Sequence, residues 1–279
     1  MRYFFSLLTS LFLILPISSG ELSSALDQNL NGVMTKVTDW RHHFHQYPEL
    51  SNREFKTQKS ISEALIEMGL EPNTSFGKTG VTAFIRGQNP GPLIALRADI
   101  DGLPVTEKLN LPFSSKEKTN YQGNDVGIMH ACGHDAHIAT LLGVASFLSQ
   151  NTDKLNGDIL LIFQPAEEGA PEGEEGGAEL MLKEGLFEAE KPDAIFGMHV
   201  SNSTHGQLWT RPGPIMASAE AFRITVEGKQ THGSRPWNGV DPIVTASDIV
   251  STLQTIVSRR LNLLDSQAVV TVGIMKGGT

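Results

Sequence analysis

Apolar positions recur along this chain with two different periods, and the periods alternate. Over residues 25–46 and 57–69 they return every three to four positions, which predicts two helices, the second closing at Met68-Gly69-Leu70 ahead of Pro72. Residues 80–87 (GVTAFIRG) and 92–102 (PLIALRADIDG) read as strands, the latter apolar on both faces as a buried strand is. A polar, irregular stretch over 106–125 follows. Helical periodicity resumes over 136–149 (AHIATLLGVASFLS), with Asp135 placed to cap it. Then come a strand at 157–165, a Gly/Glu-rich loop, a helix at 176–186 and a strand at 193–200. Strands alternating with helices predict an α/β domain with a mostly parallel sheet.

The two ends of the chain depart from this pattern. At the start, Arg2 precedes an apolar core from Phe4 to Ile17, and Ser18-Ser19-Gly20 follow. This is the layout of a secretory signal peptide cleaved after Gly20; its core is short for a bilayer span and broken by Pro16. The expected location is therefore a periplasm, a secretory-pathway lumen or the exterior, with no membrane attachment once the signal is removed. Beyond residues 210–218 (TRPGPIMAS) the texture changes. A strand at 219–228, a helix at 241–260 and a strand at 268–278 read as the start of a smaller unit, which stops at Thr279 just after a glycine pair. The expected organisation is a signal peptide over 1–20, an α/β domain over 21–212 and an unfinished second domain over 213–279, as in the N-terminal piece of a longer protein.

Charge and cysteine content narrow the chemistry. A formal net charge of −9 over 279 residues argues against nucleic acid or an anionic membrane surface as the main partner. Cys132 is the single cysteine, so no disulfide forms within the chain, and a free thiol in an exported protein needs a reason. Its surroundings, IMHACGHDAHIATLLG over 128–143, supply three histidines and an aspartate within a few positions.

In open α/β sheets ligands bind outside the carboxyl ends of the strands. Here the strand ends carry Asp99 and Asp101, Glu167 and Glu168, and His199, while Cys132 and His134 open a helix on the same edge. A thiolate, imidazoles and carboxylates together suit zinc, manganese or a related divalent ion. Gly133 between Cys132 and His134 allows a tight loop that turns both side chains inward. His130 and His137 read as hydrogen-bonded loop residues or as residues supporting the ligands from behind. Glu167 and Glu168 follow an apolar strand and Pro165, and extended backbone would point them oppositely, one to metal and one to substrate. A glutamate beside a metal-activated water can take its proton and pass it to a leaving amine. Glu172, Glu174 and Glu175 read as solvated charge, and RHHFHQYPEL (41–50) as a structural helix end. His232 has two open readings, a surface-loop histidine or a hydrogen-bond donor to a developing oxyanion. No Gly-x-Ser-x-Gly elbow, phosphate-binding loop or dinucleotide fingerprint is present.

Taken in order, RHHFHQYPEL, GKTGVTAFIRG, ALRADIDGLPV, GIMHACGHDAH, LIFQPAEEG, FGMHV and HGSRPWNGVDP resemble the amidohydrolase branch of the M20 metallopeptidase superfamily. That branch includes hippurate hydrolases, N-acyl-amino-acid amidohydrolases and auxin-conjugate hydrolases. The resemblance implies a zinc-peptidase-like catalytic domain with helices on both faces of its sheet, and an inserted α+β lid that forms a homodimer. It implies two divalent metal ions, Mn2+ or Zn2+, on Cys132, His134, Glu168 and His199, with Cys132 bridging. Glu167 would be general base and then acid, Asp101 a supporting aspartate, and His232 an oxyanion donor reaching a site across the dimer. The implied reaction is hydrolysis of the amide of a small N-acyl amino acid. Two other readings compete: a metal-free amidase with Cys132 as nucleophile and His134 or His137 as base, and a non-catalytic metal- or solute-binding protein on the same scaffold.

Overall fold

A computed structural model describes residues 19–121, 123–216, 218–263 and 267–278. The expected signal peptide falls almost entirely outside these residues; Ser19 and Gly20 open the first helix. The chain divides into two compact units, the first ending at Asn202 and the second starting at Ser203.

The first unit is built on a four-stranded sheet. Its strands are β1 (Val81–Ile85), β2 (Asn89–Asp99), β5 (Asn156–Gln164) and β6 (Ala194–Gly197), in the order β1-β5-β2-β6. Strands β5, β2 and β6 are parallel, and β1 runs antiparallel to β5. The parallel register pairs Asp99 with Gln164 and Arg97 with Gly197, so the carboxyl ends of three strands meet at one edge.

Alternation along β5 explains the layers. Leu161 and Phe163 face one side, with Val81, Ala83 and Ile85 of β1. Helices α1 (Ser19–Gln46), α2 (Phe55–Glu67) and α3 (His134–Leu148) cover that side through Phe44, Ile61, Leu65, Ile138 and Leu142. Leu160 and Ile162 face the other side, where Ala95 of β2 and Met181 of α4 (Gly177–Lys183) complete a smaller cluster. Both faces of the sheet are therefore helix-covered, which is why β2 and β5 read as continuous apolar runs.

Two local features differ from the sequence expectation. The polar stretch after residue 106 contains a hairpin, β3 (Lys118–Tyr121) against β4 (Asn124–Gly127), whose half-exposed, polar strands carry little hydrophobic alternation. Asp135 does not cap α3; Gly133 occupies that position at φ +89°, and Asp135 lies in the first turn. Its carboxylate instead accepts from His45 at 2.9 Å, with Arg41 at 3.4 Å.

The second unit contains helix α5 (Pro242–Thr255), continued by a π-helical turn over Ile256–Arg260. The Asp241 carboxylate caps α5 by accepting from the amides of Ile243 and Val244, and Pro242 opens the first turn. The strands expected at 219–228 and 268–278 form no ladder among the described residues. The pairing present there is an isolated bridge between Lys229 and Val240. A strand is stable only against a neighbour that takes its backbone groups, and an apolar alternation alone does not supply one. Among the described residues no helix is long and apolar enough to cross a membrane.

Candidate metal centre

Each candidate side chain sits at or next to an element end on the same edge. Asp99 is the last residue of β2 and Asp101 lies two residues beyond it. Glu167 and Glu168 follow β5, His199 follows β6, and Cys132 and His134 form the mouth of α3. Arg97 ties the first two strand ends together, donating to the Asp99 carboxylate at 2.7 Å and to the Gln164 side-chain carbonyl at 2.7 and 2.9 Å.

His134 is fully buried at the centre. Its Nδ1 lies 3.3 Å from an Asp101 oxygen, too poorly aligned for a good hydrogen bond. Its Nε2 faces Asp99 at 3.6 Å and Glu167 and Glu168 at 3.7 Å each. Among the described residues neither ring nitrogen has a hydrogen-bond partner, and neither does the Asp101 oxygen facing it. Such orphaned buried atoms are costly unless something else satisfies them.

A second donor pair stands beside this one. Cys132 Sγ lies 3.4 Å from His199 Nε2. The His199 Nδ1 donates to the Val200 carbonyl at 2.6 Å, which fixes the tautomer and leaves on Nε2 the lone pair that faces the Cys132 sulfur. The ligand atoms of Cys132, His134 and His199 lie within 4.8 Å of one another, and so do those of His134, Glu167 and Glu168. Asp99, His134 and His137 form a third such group, and His134 belongs to all three. Sulfur, imidazole and carboxylate donors in adjoining sets fit transition-type divalent ions.

The electrostatics point the same way. Burial, then Glu168, Glu167 and Asp99, push the Cys132 thiol up to about 12. A nucleophilic cysteine needs the opposite field, one that lowers its pKa, so this environment disfavours the nucleophile reading. Burial opposes a charged His134, but Asp101, Asp99 and Glu168 still raise it. Burial, followed by Asp99, also raises Glu167 above the ordinary carboxylate range. The centre is a concentration of negative charge in search of a cation.

Other positions depart from their sequence readings. Glu167 and Glu168 do not point oppositely: Ala166 takes a left-handed φ of +49°, and the resulting turn brings both carboxylates to the same imidazole. His137 is hydrogen-bonded as expected, donating from Nδ1 to Asp99 and accepting the Val200 amide at Nε2 at 2.9 Å. It therefore links the end of β2 to the turn that carries His199. The His130 ring is buried with neither nitrogen hydrogen-bonded among the described residues, and burial holds its pKa down to about 4, so it is neutral. Glu174 is not free solvated charge; Arg53, Lys78 and Asn52 all donate to it. His232 lies exposed in the second unit, and its Nδ1 accepts the Ser234 amide at 3.2 Å, which places its hydrogen on Nε2.

The segment after α1 supplies residues that the sequence reading passed over. The Ser51 hydroxyl donates to Asp101 at 2.7 Å, and the same Asp101 oxygen accepts the Glu168 amide at 3.0 Å. Glu54, fully buried, accepts the Ala166 amide at 2.8 Å and the Thr79 hydroxyl at 2.6 Å. Nothing in Ser51-Asn52-Arg53-Glu54 signals burial; a polar run of that kind ordinarily faces water.

Comparison with known proteins decides the family. The profile of peptidase family M20/M25/M40 matches residues 95–277. The chain belongs to the M20 family. It is 45% identical over 252 residues to the N-acetyl-L-cysteine deacetylase of Bacillus subtilis, covering 90% of this chain and 57% of that protein. It is 40% identical over 252 residues to the hippurate hydrolase of Campylobacter jejuni, covering 90% of this chain and 61% of that one. Among solved M20 structures it is similar to the Bacillus subtilis YXEP protein, a dinuclear metal binding peptidase, with a TM-score of 0.61 and 38% identity over 81% of this chain and 57% of that one. The M20 chain described here thus spans about three-fifths of the length of these relatives.

Proposed function

We propose that the complete protein is a metal-dependent amidohydrolase that cleaves the amide bond of small N-acyl amino acids. The observation that carries this reading is His134, buried with an unpartnered Nε2 that faces two glutamates, and grouped with Cys132 and His199 as well. Cys132, His134, Glu168 and His199 would hold two divalent ions, Mn2+ or Zn2+, which when bound polarise a carbonyl and acidify water.

The remaining steps belong to the chain's own groups. Water adds to the amide carbonyl as its proton passes to the Glu167 carboxylate; the same proton then goes to the nitrogen, the C–N bond breaks, and an acid and an amine leave. A carboxylate raised by burial and by Asp99 is suited to both transfers, because it holds the proton better than a solvated one. Asp101 fixes the geometry by holding the Glu168 amide and facing His134. His232 carries its hydrogen on Nε2, the form needed to donate to an oxyanion, and serves the site of a partner subunit in a homodimer formed through the second unit, a lid. The protein is exported through its N-terminal segment.

The similarity to an N-acetyl-L-cysteine deacetylase and a hippurate hydrolase supports acyl amino acids as the substrate class. The test is a panel of N-acetyl, N-benzoyl and indole-acetyl amino acids, assayed with the complete protein metal-free and with added Mn2+ or Zn2+. Turnover is expected only with metal, and Glu167→Gln is expected to keep metal while losing activity by about 10²- to 10⁴-fold. Metal-independent turnover that alkylation of Cys132 abolishes would instead establish the thiol as nucleophile. Tight metal binding with no turnover of any substrate would favour a binding protein.

A further inference from the structure

The loop that carries Glu167 and Glu168 is held from below by a carboxylic acid with no place in the mechanism above. Glu54 is 0% exposed, at the junction that leads into α2. Burying a carboxyl costs several kcal/mol unless its oxygens are used, and both are. Oε1 accepts the amide of Ala166, and Oε2 accepts the hydroxyl of Thr79.

The Ala166 amide needs such a partner. It lies past the end of β5, beyond ladder pairing, and its residue holds a left-handed φ of +49°. Asp101 clamps the amide of Glu168 two residues later. The backbone is thus fixed on both sides of Glu167. The approach is close: a Cβ on Gly77 would meet Pro165 at 3.0 Å, and one on Gly176 would meet the Ala166 Cβ at 3.1 Å. The loop has little room to settle elsewhere while the clamp holds, and no ladder to fall back on once it is gone.

We propose that Glu54 is the positioning residue of the metal centre: through the Ala166 amide it sets the turn that delivers the Glu167 and Glu168 carboxylates to His134. Its role in turnover rests on the amidohydrolase reading; its role in presenting Glu168 to a cation does not.

The test uses the complete protein and three readouts. Glu54→Ala is expected to speed amide exchange in the segment 164–169 selectively, to weaken Mn2+ binding by about tenfold or more, and to lower kcat by a similar factor with KM little changed. Glu54→Gln keeps a carbonyl oxygen for the Ala166 amide and is expected to restore all three to within about threefold of wild type. Should Glu54→Ala fail to fold, Glu54→Asp decides in its place, because it keeps the carboxyl group but withdraws it by one methylene and should give the same selective exchange and weakened Mn2+ binding. Folded Glu54→Ala with unchanged Mn2+ affinity and unchanged exchange at 164–169 would overturn the proposal. Equal losses in Glu54→Ala and Glu54→Gln, with exchange raised throughout β5 and α2, would reduce Glu54 to a general stabiliser and overturn it too. Exchange and Mn2+ binding need no substrate, so a failure of the amidohydrolase reading, seen as a fully active Glu167→Gln, is distinguishable from a failure of this one.

Discussion

Asp99 and Glu54 are both buried acids, yet their environments drive them in opposite directions. Burial pushes Asp99 up, but the His137 hydrogen bond, His134 and Arg97 together pull it down to about 2. Glu54 lies next to Arg53, but burial, reinforced by Asp101, outweighs its hydrogen bonds to leave it at about 7. Linkage converts these into stability against pH in the metal-free protein. Asp99 is lower in the folded state than unfolded, so its contribution of about 2 kcal/mol is complete above about pH 4 and lost as pH falls through about 2. Glu54 is higher in the folded state, so ionising it costs up to about 3 kcal/mol as pH rises from about 4.5 through about 7. Glu54→Gln, which cannot ionise, should therefore gain stability relative to wild type at pH 8 and not at pH 4.5. Urea unfolding of both proteins at the two pH values, with chelator present, checks this. An equal difference at both would mean that Glu54 is ionised in the fold at pH 4.5 already.

Helix α3 shows how an element converts sequence into a site, and also where reading stops. Its periodicity and the apolar runs of β2 and β5 were legible because burial on a period leaves a pattern in the chain. From those ends the convergence of Asp99, Glu167, Cys132, His134 and His199 follows. What leaves no pattern is backbone conformation and burial of polar side chains. The left-handed Ala166 turns Glu167 and Glu168 to one imidazole where alternation would separate them, and Glu54 hides in a run of polar residues. The hairpin β3–β4 is too polar to announce itself, and the strands expected in the second unit have the alternation without a partner. Gly133 is the position where α3 depends most on such backbone. At φ +89° it takes a conformation that side chains rarely adopt, and a Cβ there would lie 2.3 Å from Val200 Cγ2, next to His199. Gly133→Ala should push the His199 turn away from Cys132 and weaken Co2+ or Mn2+ binding by about tenfold or more, while far-UV circular dichroism stays close to wild type. Wild-type affinity in this variant would show that Val200 and His199 yield without cost.

At the scale of the first unit, the metal centre is also a structural joint. The residues proposed to hold the ions come from two strand ends and the mouth of α3, elements whose other contacts lie in the core beneath. Without a cation, Asp99, Asp101, Glu167 and Glu168 crowd around one buried imidazole, and the fold bears their repulsion. A cation that binds this arrangement and not the unfolded chain adds RT ln(1 + [L]/Kd), about 2.7 kcal/mol at a hundredfold excess over Kd. For a unit of this size that corresponds to a rise in Tm of about 5–10 °C. Mn2+ or Zn2+ should therefore raise the melting temperature of chelator-treated protein by this amount, and renewed chelation should reverse it. Cys132→Ser should lose a large part of the rise, which ties the effect to this edge of the sheet and not to surface carboxylates. A melting temperature indifferent to both ions would remove the metal centre, and with it the physical reason for gathering so much negative charge around His134.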